Sequence, residues 1–373
     1  MNPFIITGYN SPAYFCNRKK ELESLLNAVE NNRHVTLFSI RKLGKTGLIH
    51  HLFYHLKKDK EISTFYIDIM PTRSLAEFVN VLGTAIIGKL DPKPLQIIKN
   101  AGKHFSHLRP QINFDPLSGS PNVSFLAQNE NDTKQILSEL IGYLKKQSNK
   151  NKIVIAIDEF QQIKAYKESN VEAFLRSHFQ QLKNVVFIFS GSQKHMLLSM
   201  FGDARYPFYN STELMHLSNI ISKDYNKFIS KKFTENKIDF PPTLIDDLLE
   251  WTYGRTFNVQ FVCNKLFGLG ISKIEKLHLN KIFLEILIEN EALYYNLRSI
   301  VPAQQWNLLT AIAMEQGAGS LFSKEFINKY KMGATSTVKR SVEGLLNKEL
   351  IYEENNKYYV NDVFFSRWLE THK

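Results

Sequence analysis

The chain is poor in cysteine, with two in 373 residues, and that shortage removes two kinds of protein at once. Cys16 and Cys263 stand far apart, without Cys or His neighbours at metal-ligand spacing, so neither a disulfide framework nor a zinc site is expected and both read as buried apolar residues. No apolar run approaches the roughly 18 residues that a membrane-crossing helix needs, so no membrane contact is expected. The amino end, Met1 to Gly8, lacks a basic stretch followed by a long apolar core, which argues against a secretory signal and for a cytoplasmic location. Internal repeats and low-complexity tracts are also missing. A formal charge of +11 permits a polyanionic partner, but much of the excess is lysine scattered over helical stretches, such as Lys57-Lys58 and Lys145-Lys146, which read as solvated faces.

What is present starts with a loop. Val35 to Phe38 is an apolar run, and Ser39-Ile40-Arg41-Lys42-Leu43-Gly44-Lys45-Thr46 follows it directly, ahead of a helix-like stretch from Gly47. The pattern is that of a phosphate loop, G-x-x-x-x-G-K-[ST], with Ser39 in place of the first glycine. In such a loop backbone N–H groups cradle phosphates, a lysine reaches the outer phosphates and a hydroxyl holds Mg²⁺. Ile153-Val154-Ile155-Ala156-Ile157 is a second apolar run, and it ends in Asp158-Glu159, the Walker B form. Five consecutive apolar residues suit a strand buried on both faces of a parallel sheet, whose carboxyl end is where ligands bind. The two motifs together point to ATP or ADP with Mg²⁺. Lys45 would neutralise β and γ oxygens, Thr46 and Asp158 would hold the metal, and Glu159, which has no evident structural duty, would orient the attacking water. Ser190, at the end of the run Val185 to Phe189, reads either as a polar sensor of the γ-phosphate or as a cap of the next helix. Arg205 reads as an arginine finger for a neighbouring subunit or as a surface arginine.

The order of elements sets the fold class. Candidate strands at Val35 to Phe38, Ser63 to Ile69, Ile153 to Ile157 and Val185 to Phe189 alternate with amphipathic helices at Arg18 to Glu30, Gly47 to Lys57, Ser74 to Leu90, Thr133 to Lys146 and Asn170 to Leu182, as in a parallel α/β sheet. Residues 108–127, rich in Pro, Gly, Asn and Ser, read as an inserted hairpin. After Leu217 the strand signals stop. Helical patterns follow at Ser222 to Glu235, Thr243 to Thr252, Asn258 to Leu266 and on to about Leu297. From Pro302 the order is helix, short helix, helix, strand, a turn at Asn355-Asn356 and strand, which is a winged helix. The expected domains are an α/β core over 1–217, a helical lid over 218–298 and a winged helix over 299–373.

These pieces resemble the archaeal-type ATPase family within the AAA+ and STAND P-loop proteins, over essentially the whole chain. Phe15-Cys16-Asn17-Arg18-Lys19-Lys20-Glu21-Leu22 is similar to the family's F-x-x-R-x-x-E-L motif. Ile40 to Thr46 is similar to its G-x-R-R-x-G-K-T loop, and Asp158-Glu159-Phe160 to its D-E-F ending. Ser323 to Lys348, with Tyr358 to Asp362 and Phe365 to Leu369, resembles its carboxyl-terminal winged helix. The resemblance implies that Phe15 and Arg18 line the adenine side of the pocket. It also implies that Ser39, Arg41, Lys42, Leu43, Gly44 and Gly47 belong with Lys45 and Thr46 to the nucleotide site. Two departures stand out: Ser39 replaces a glycine, and Gly254-Arg255-Thr256 lacks the proline of the family's G-x-P motif. Arg255 reads as a lid-borne sensor cation or as a surface residue.

The expected function is an ATP-binding switch with slow hydrolysis, able to form oligomers when nucleotide binds. Its winged helix would use Ser336, Thr337, Lys339 and Arg340 on duplex DNA, or contact a protein instead. The alternatives are a nucleotide-bound adaptor without hydrolysis and a DNA-binding regulator.

Overall fold

The computed structural model describes residues 2–90, 111–114, 121–125, 127 and 129–372. The chain divides into two compact units: Arg18–Ser39 with Gly44–Ser218, and Met1–Asn17 with Ile40–Leu43 and Asn219–Lys373.

The first unit is built on a sheet of five parallel strands. In chain order the strands are β1 (Val35–Phe38), β2 (Ile62–Asp68), the hairpin strands β3 (Gln111–Phe114) and β4 (Pro121–Ser124), β5 (Lys152–Asp158), β6 (Val185–Gly191) and β7 (Glu213–His216). The main sheet runs β2-β5-β6-β1-β7, and β3 pairs antiparallel with β4 outside it. Helices Lys19–Glu30, Lys45–Leu56, Leu75–Leu90, Glu130–Ser148, Val171–Phe179 and Lys194–Gly202 accompany the strands. β6 is buried throughout and β5 from its second residue on, as strands covered on both faces must be. Because β6 lies between β1 and β5, the carboxyl ends of all three stand side by side. Phe38 is level with Gly191, Ile157 with Phe189, and on the other flank Asp68 with Asp158.

The second unit is helical except for its wing. Helices Ser222–Glu235, Pro242–Trp251, Thr256–Gly268 and Lys276–Ile300 pack around one apolar cluster that includes Ile229, Leu248, Val262 and Ile282. Helices Ala303–Met314, Lys324–Lys329, Thr335–Asn347 and Val363–Thr371, with strands β8 (Ile351–Glu354) and β9 (Lys357–Val360), enclose another around Leu309, Leu345 and Trp368. Asn355 and Asn356, at φ 51° and 60°, form the two-residue turn between β8 and β9, where both central residues need left-handed backbone. Arg367 ties the two clusters into one body. Its guanidinium is buried, donates to the Glu250 and Trp251 carbonyls at 2.9 and 3.0 Å, pairs with Glu370 at 2.9 Å and lies over the Tyr253 ring. A cation at the last carbonyls of a helix satisfies acceptors that the helix itself leaves open.

Several elements differ from the sequence reading. The strand β7 is an edge strand with three of four residues exposed, so it has no apolar run to announce it. Helices Lys194–Gly202 and Val363–Thr371 were not expected either. Helix Glu130–Ser148 starts three residues before Thr133 because the Asn129 side chain accepts from the Asp132 N–H at 2.9 Å. The amino-terminal segment does not belong to the α/β unit, as the expected core of 1–217 had it. Phe4, 1% exposed, packs in the helical unit against Phe233, ring centres 5.1 Å apart. The tip of the expected hairpin, 115–120, lies outside the described residues.

Candidate functional site

The end of β1 turns into the loop and the loop into a helix. Gly44, at φ 91°, is the N-cap residue of helix Lys45–Leu56, a backbone conformation that costs glycine little. Ser39 is fully buried, and the non-glycine residue of the loop with positive φ is Lys42, at 66°. Serine therefore meets no left-handed strain in the glycine's place. Its hydroxyl and carbonyl instead accept from the Lys45 ammonium at 3.3 and 3.5 Å. Gly47 sits half-buried in the first turn of the helix, next to Thr46.

Asp158 is the hub of the site. Its Oδ2 accepts from Thr46 Oγ1 at 2.9 Å and from the Tyr66 hydroxyl at 2.7 Å, while its Oδ1 accepts from Ser190 Oγ at 2.6 Å and from the Glu159 N–H at 3.1 Å. The loop hydroxyl and the strand-end carboxylate are thus in direct contact. Both are hard oxygen donors of the kind Mg²⁺ takes. Among the described residues no group of three or more His, Cys, Asp or Glu could hold a metal alone. Ser190 does not cap the next helix, whose N-cap position is Gln193.

Glu159 adopts left-handed backbone at φ 54° as the chain leaves β5. Its Oε2 accepts from Ser192 N–H at 3.2 Å, from Ser192 Oγ at 3.1 Å and from the Gln161 amide. So this carboxylate does have a local structural setting. Gln161, 4% exposed, turns its other amide atom, Oε1, toward Gly191, where an added Cβ would lie 2.0 Å away. A side chain at position 191 and the glutamine amide cannot share that space.

Burial and charge shape the surroundings. The Tyr66 hydroxyl is held far above its ordinary range, first by burial and then by the Asp158 charge. The Asp68 carboxyl is pushed up, mainly by burial and also by Asp158 and Glu159 facing it. His50, whose ring lies 4.8 Å from Tyr66, is pushed down because burial outweighs the attraction of Asp158. Asp158, Glu159 and Asp68 thus bring negative charge together, a setting suited to a cation.

Other expected residues have contacts of their own. Arg18 is 4% exposed and pairs with Glu21 at 2.8 Å. In the helical unit Phe15 packs edge-on against Tyr9, centres 5.8 Å apart. There the Leu43 carbonyl accepts from Thr256 Oγ1 at 3.0 Å, the Lys42 ammonium pairs with Asp362 at 2.6 Å, and Arg41 pairs with Glu349. Arg255 is no surface residue. Only 3% exposed, it lies over the Tyr352 ring at 4.7 Å and donates to the Tyr352 hydroxyl, and burial lowers its pKa. Arg205 is largely exposed and clasped by Asp203, whose carboxyl it holds down at about 2. Ser336, Lys339 and Arg340 are exposed on helix Thr335–Asn347 and Thr337 is half-buried. Sequence reasoning missed Tyr66, Gln161 and Ser192. The available signal was faint, a polar Gly191-Ser192 step after an apolar strand.

Comparison with known proteins adds the following. The model of an ATPase domain found predominantly in Archaea matches residues 15–260, and that of a probable winged helix domain matches 292–371. No curated protein matches the chain. Among solved structures, a Walker-type ATPase of Pyrococcus abyssi is similar over 98% of this chain and 99% of its own, with 18% identity and a TM-score of 0.67. The ORC2 protein of Aeropyrum pernix, solved as ADPNP–ADP complexes, is similar over 99% of this chain and 95% of its own, with 13% identity and a TM-score of 0.59. The ORC1 protein of Aeropyrum pernix, solved in complex with DNA, shares 12% identity over 97% of this chain and 94% of its own, with a TM-score of 0.50. At these identities the structures speak for the fold, an α/β P-loop core with a winged helix. No helix among the described residues is long and apolar enough to cross a membrane.

Proposed function

This chain belongs to the family of ATPase domains found predominantly in Archaea, and from that premise we propose that it binds ATP with Mg²⁺, hydrolyses it slowly and works as a nucleotide switch. The supporting observation is the direct contact of Thr46 Oγ1 with Asp158 Oδ2 at 2.9 Å, which joins the loop to the strand end that Glu159 follows. Backbone amides from Arg41 to Thr46 and the amino end of helix Lys45–Leu56 hold the α and β phosphates. Lys45 neutralises the outer phosphates, and Thr46 and Asp158 hold the cation, which supplies charge neutralisation at the transferring phosphoryl group. Ser190 and Tyr66 keep the Asp158 carboxylate oriented through their hydrogen bonds. Glu159 polarises the attacking water. Its Oε2 is held by three donors, which leaves Oε1 as the atom that accepts the proton. Phe15 and Arg18 take the adenine-side role that the family's F-x-x-R-x-x-E-L motif implies, and Arg255, where the chain departs from the family's G-x-P motif, that of a sensor cation.

Slow turnover is our reading for the isolated chain, to which no neighbouring subunit supplies an arginine finger. An arginine finger in place contributes about three to five orders of magnitude, and Arg205, exposed and paired with Asp203, is the candidate to offer one to a neighbour. The decisive experiment compares phosphate release by the wild type and by Glu159→Gln, with Mg-ATP-induced thermal stabilisation as the control for binding. Loss of release with stabilisation retained is expected. Equal release by both proteins refutes hydrolysis at this site, and equal absence of it favours a nucleotide-bound adaptor.

The winged helix we assign to duplex DNA, on the strength of the exposed Ser336, Lys339 and Arg340 on one helix and of the fold shared with a structure solved on DNA. Retention of the full chain on duplex DNA should weaken steeply with salt, and Lys339→Ala with Arg340→Ala should flatten that dependence by about two counterions. A salt slope unchanged by both substitutions assigns the winged helix to a protein contact, and cytoplasmic residence suits either use.

A further inference from the structure

Residues 40–43, the middle of the phosphate loop, belong to the helical unit, whereas Ser39 before them and Gly44 after them belong to the α/β unit. The contacts of the four residues explain the division. The Phe257 N–H donates to the Lys42 carbonyl and Thr256 Oγ1 to the Leu43 carbonyl, both at 3.0 Å, so the amino end of helix Thr256–Gly268 takes up the loop's backbone. From the winged helix, Asp362 pairs with the Lys42 ammonium at 2.6 Å and Glu349 pairs with the Arg41 guanidinium. The same ammonium lies 5.4 and 6.0 Å from the centres of the Phe257 and Phe364 rings.

These contacts converge on a residue in a costly conformation. Lys42 has left-handed backbone at φ 66°, where a side chain crowds its own main chain. Gly44 is left-handed as well, at 91°, but carries no Cβ. Left-handed residues within a turn aim successive N–H groups at one point, which is how a phosphate loop forms its anion-holding concavity. The cradle therefore asks of Lys42 a shape that lysine disfavours, and contacts from outside the loop hold it there. Asp362 divides its oxygens between two tasks. Oδ1 accepts from the Phe364 and Phe365 N–H groups at 2.9 and 3.2 Å and caps helix Val363–Thr371, while Oδ2 takes the lysine. Asparagine here keeps the cap and gives up only the ion pair.

Resting on the reading of this loop as a nucleotide site, we propose that the winged helix sets nucleotide affinity: Asp362 is a positioning residue that clamps Lys42 in the left-handed backbone the phosphate cradle requires. The coupling is reciprocal. Bound nucleotide strengthens the winged helix's hold on the loop, and a partner that draws the winged helix away weakens nucleotide binding by the same factor.

The test is isothermal titration of the purified full chain with Mg-ADP, which reports binding without turnover. Asp362→Asn should weaken binding about three- to fivefold, the strength of a partly exposed ion pair. Lys42→Gln, which breaks the pair without touching the cap, should weaken it as much, and adding Asp362→Asn to it should change nothing further. Lys42→Gly separates shape from charge. Glycine takes left-handed backbone unaided, so Lys42→Gly should bind at least about threefold more tightly than Lys42→Gln, and in its background Asp362→Asn should alter affinity by less than about 1.5-fold. A lysine that served only by its charge would leave the glycine and glutamine variants alike. A wild type that takes up no Mg-ADP overturns the nucleotide reading and this inference with it. A wild type that binds overturns this inference alone if Asp362→Asn matches it, if Lys42→Gly is no tighter than Lys42→Gln, or if the Asp362→Asn effect persists beside Lys42→Gly.

Discussion

Replacing Gly191 with alanine should disturb the site by way of Gln161. The new Cβ would lie 2.0 Å from Gln161 Oε1 and 3.0 Å from both Gln161 Cδ and Leu197 Cδ1, so the amide has to leave. Gln161 is buried at 4% exposure, and its departure also takes a donor from the Glu159 carboxylate. Overfilling a packed site costs about 1–3 kcal/mol, and a hydrogen bond to a charged group contributes about 1.5–3 kcal/mol. These are two faces of one event, so we expect a net loss of about 2–3 kcal/mol. In a domain of 150–250 residues each kcal/mol lowers Tm by about 2–4 °C, which gives a fall of about 4–12 °C. The control is Gln161→Ala. In that background the clashing amide is gone, and Gly191→Ala should cost no more than about 1 kcal/mol, the residual contact with Leu197. Phosphate release is the second readout: Gln161→Ala should lower kcat about tenfold, equivalent to about 1.4 kcal/mol, with KM unchanged, because it acts on the orientation of Glu159 and not on phosphate binding. Equal penalties for Gly191→Ala with and without Gln161 would show that the glutamine does not occupy this space, and the reasoning would fail.

Two further outcomes follow from buried charge. His51 is pushed down to about 4 from its ordinary 6.5, first by burial and then by His55. Between those values the unfolded chain binds a proton that the folded chain refuses, so stability is whole above pH 6.5 and falls as pH drops toward 4. Allowing for screening the loss is about 1 kcal/mol, read from urea midpoints at pH 7 and pH 4.5, and it should vanish in His51→Asn; an unchanged slope in that variant rules His51 out. Arg367→Ala should destabilise the helical unit by about 2–4 kcal/mol in thermal melts, since the Glu250 and Trp251 carbonyls and Glu370 all lose their donor; Arg367→Lys should recover only part, and full recovery would show that charge alone is what matters.

The residues that carry the candidate chemistry were readable because each sits in a short continuous pattern. Lys45 and Thr46 follow an apolar strand, Asp158 and Glu159 end one, and Ser190 ends another, so the strand order alone brings them to one edge. The wing turn was readable because Asn355-Asn356 tolerates left-handed backbone. Gln161 and Gly191 are thirty residues apart and meaningful only as a pair, one filling the space the other leaves. Tyr66 looks like any strand aromatic until its hydroxyl meets Asp158. The strand β7 hid because an edge strand needs no apolar face. Residues 2–17 were misassigned because sequence order suggested the nearest domain, whereas Phe4 found its aromatic partners more than two hundred residues away.

One buried arginine has a mechanical consequence. Arg367 grips the tail of helix Pro242–Trp251 while belonging to helix Val363–Thr371, and it reinforces a junction that Phe364 makes against Trp251 and that helix Lys276–Ile300 makes by feeding both apolar clusters. Damage at this one side chain is therefore shared: the carbonyls it would abandon belong to one helical cluster, and the helix that carries it packs in the other.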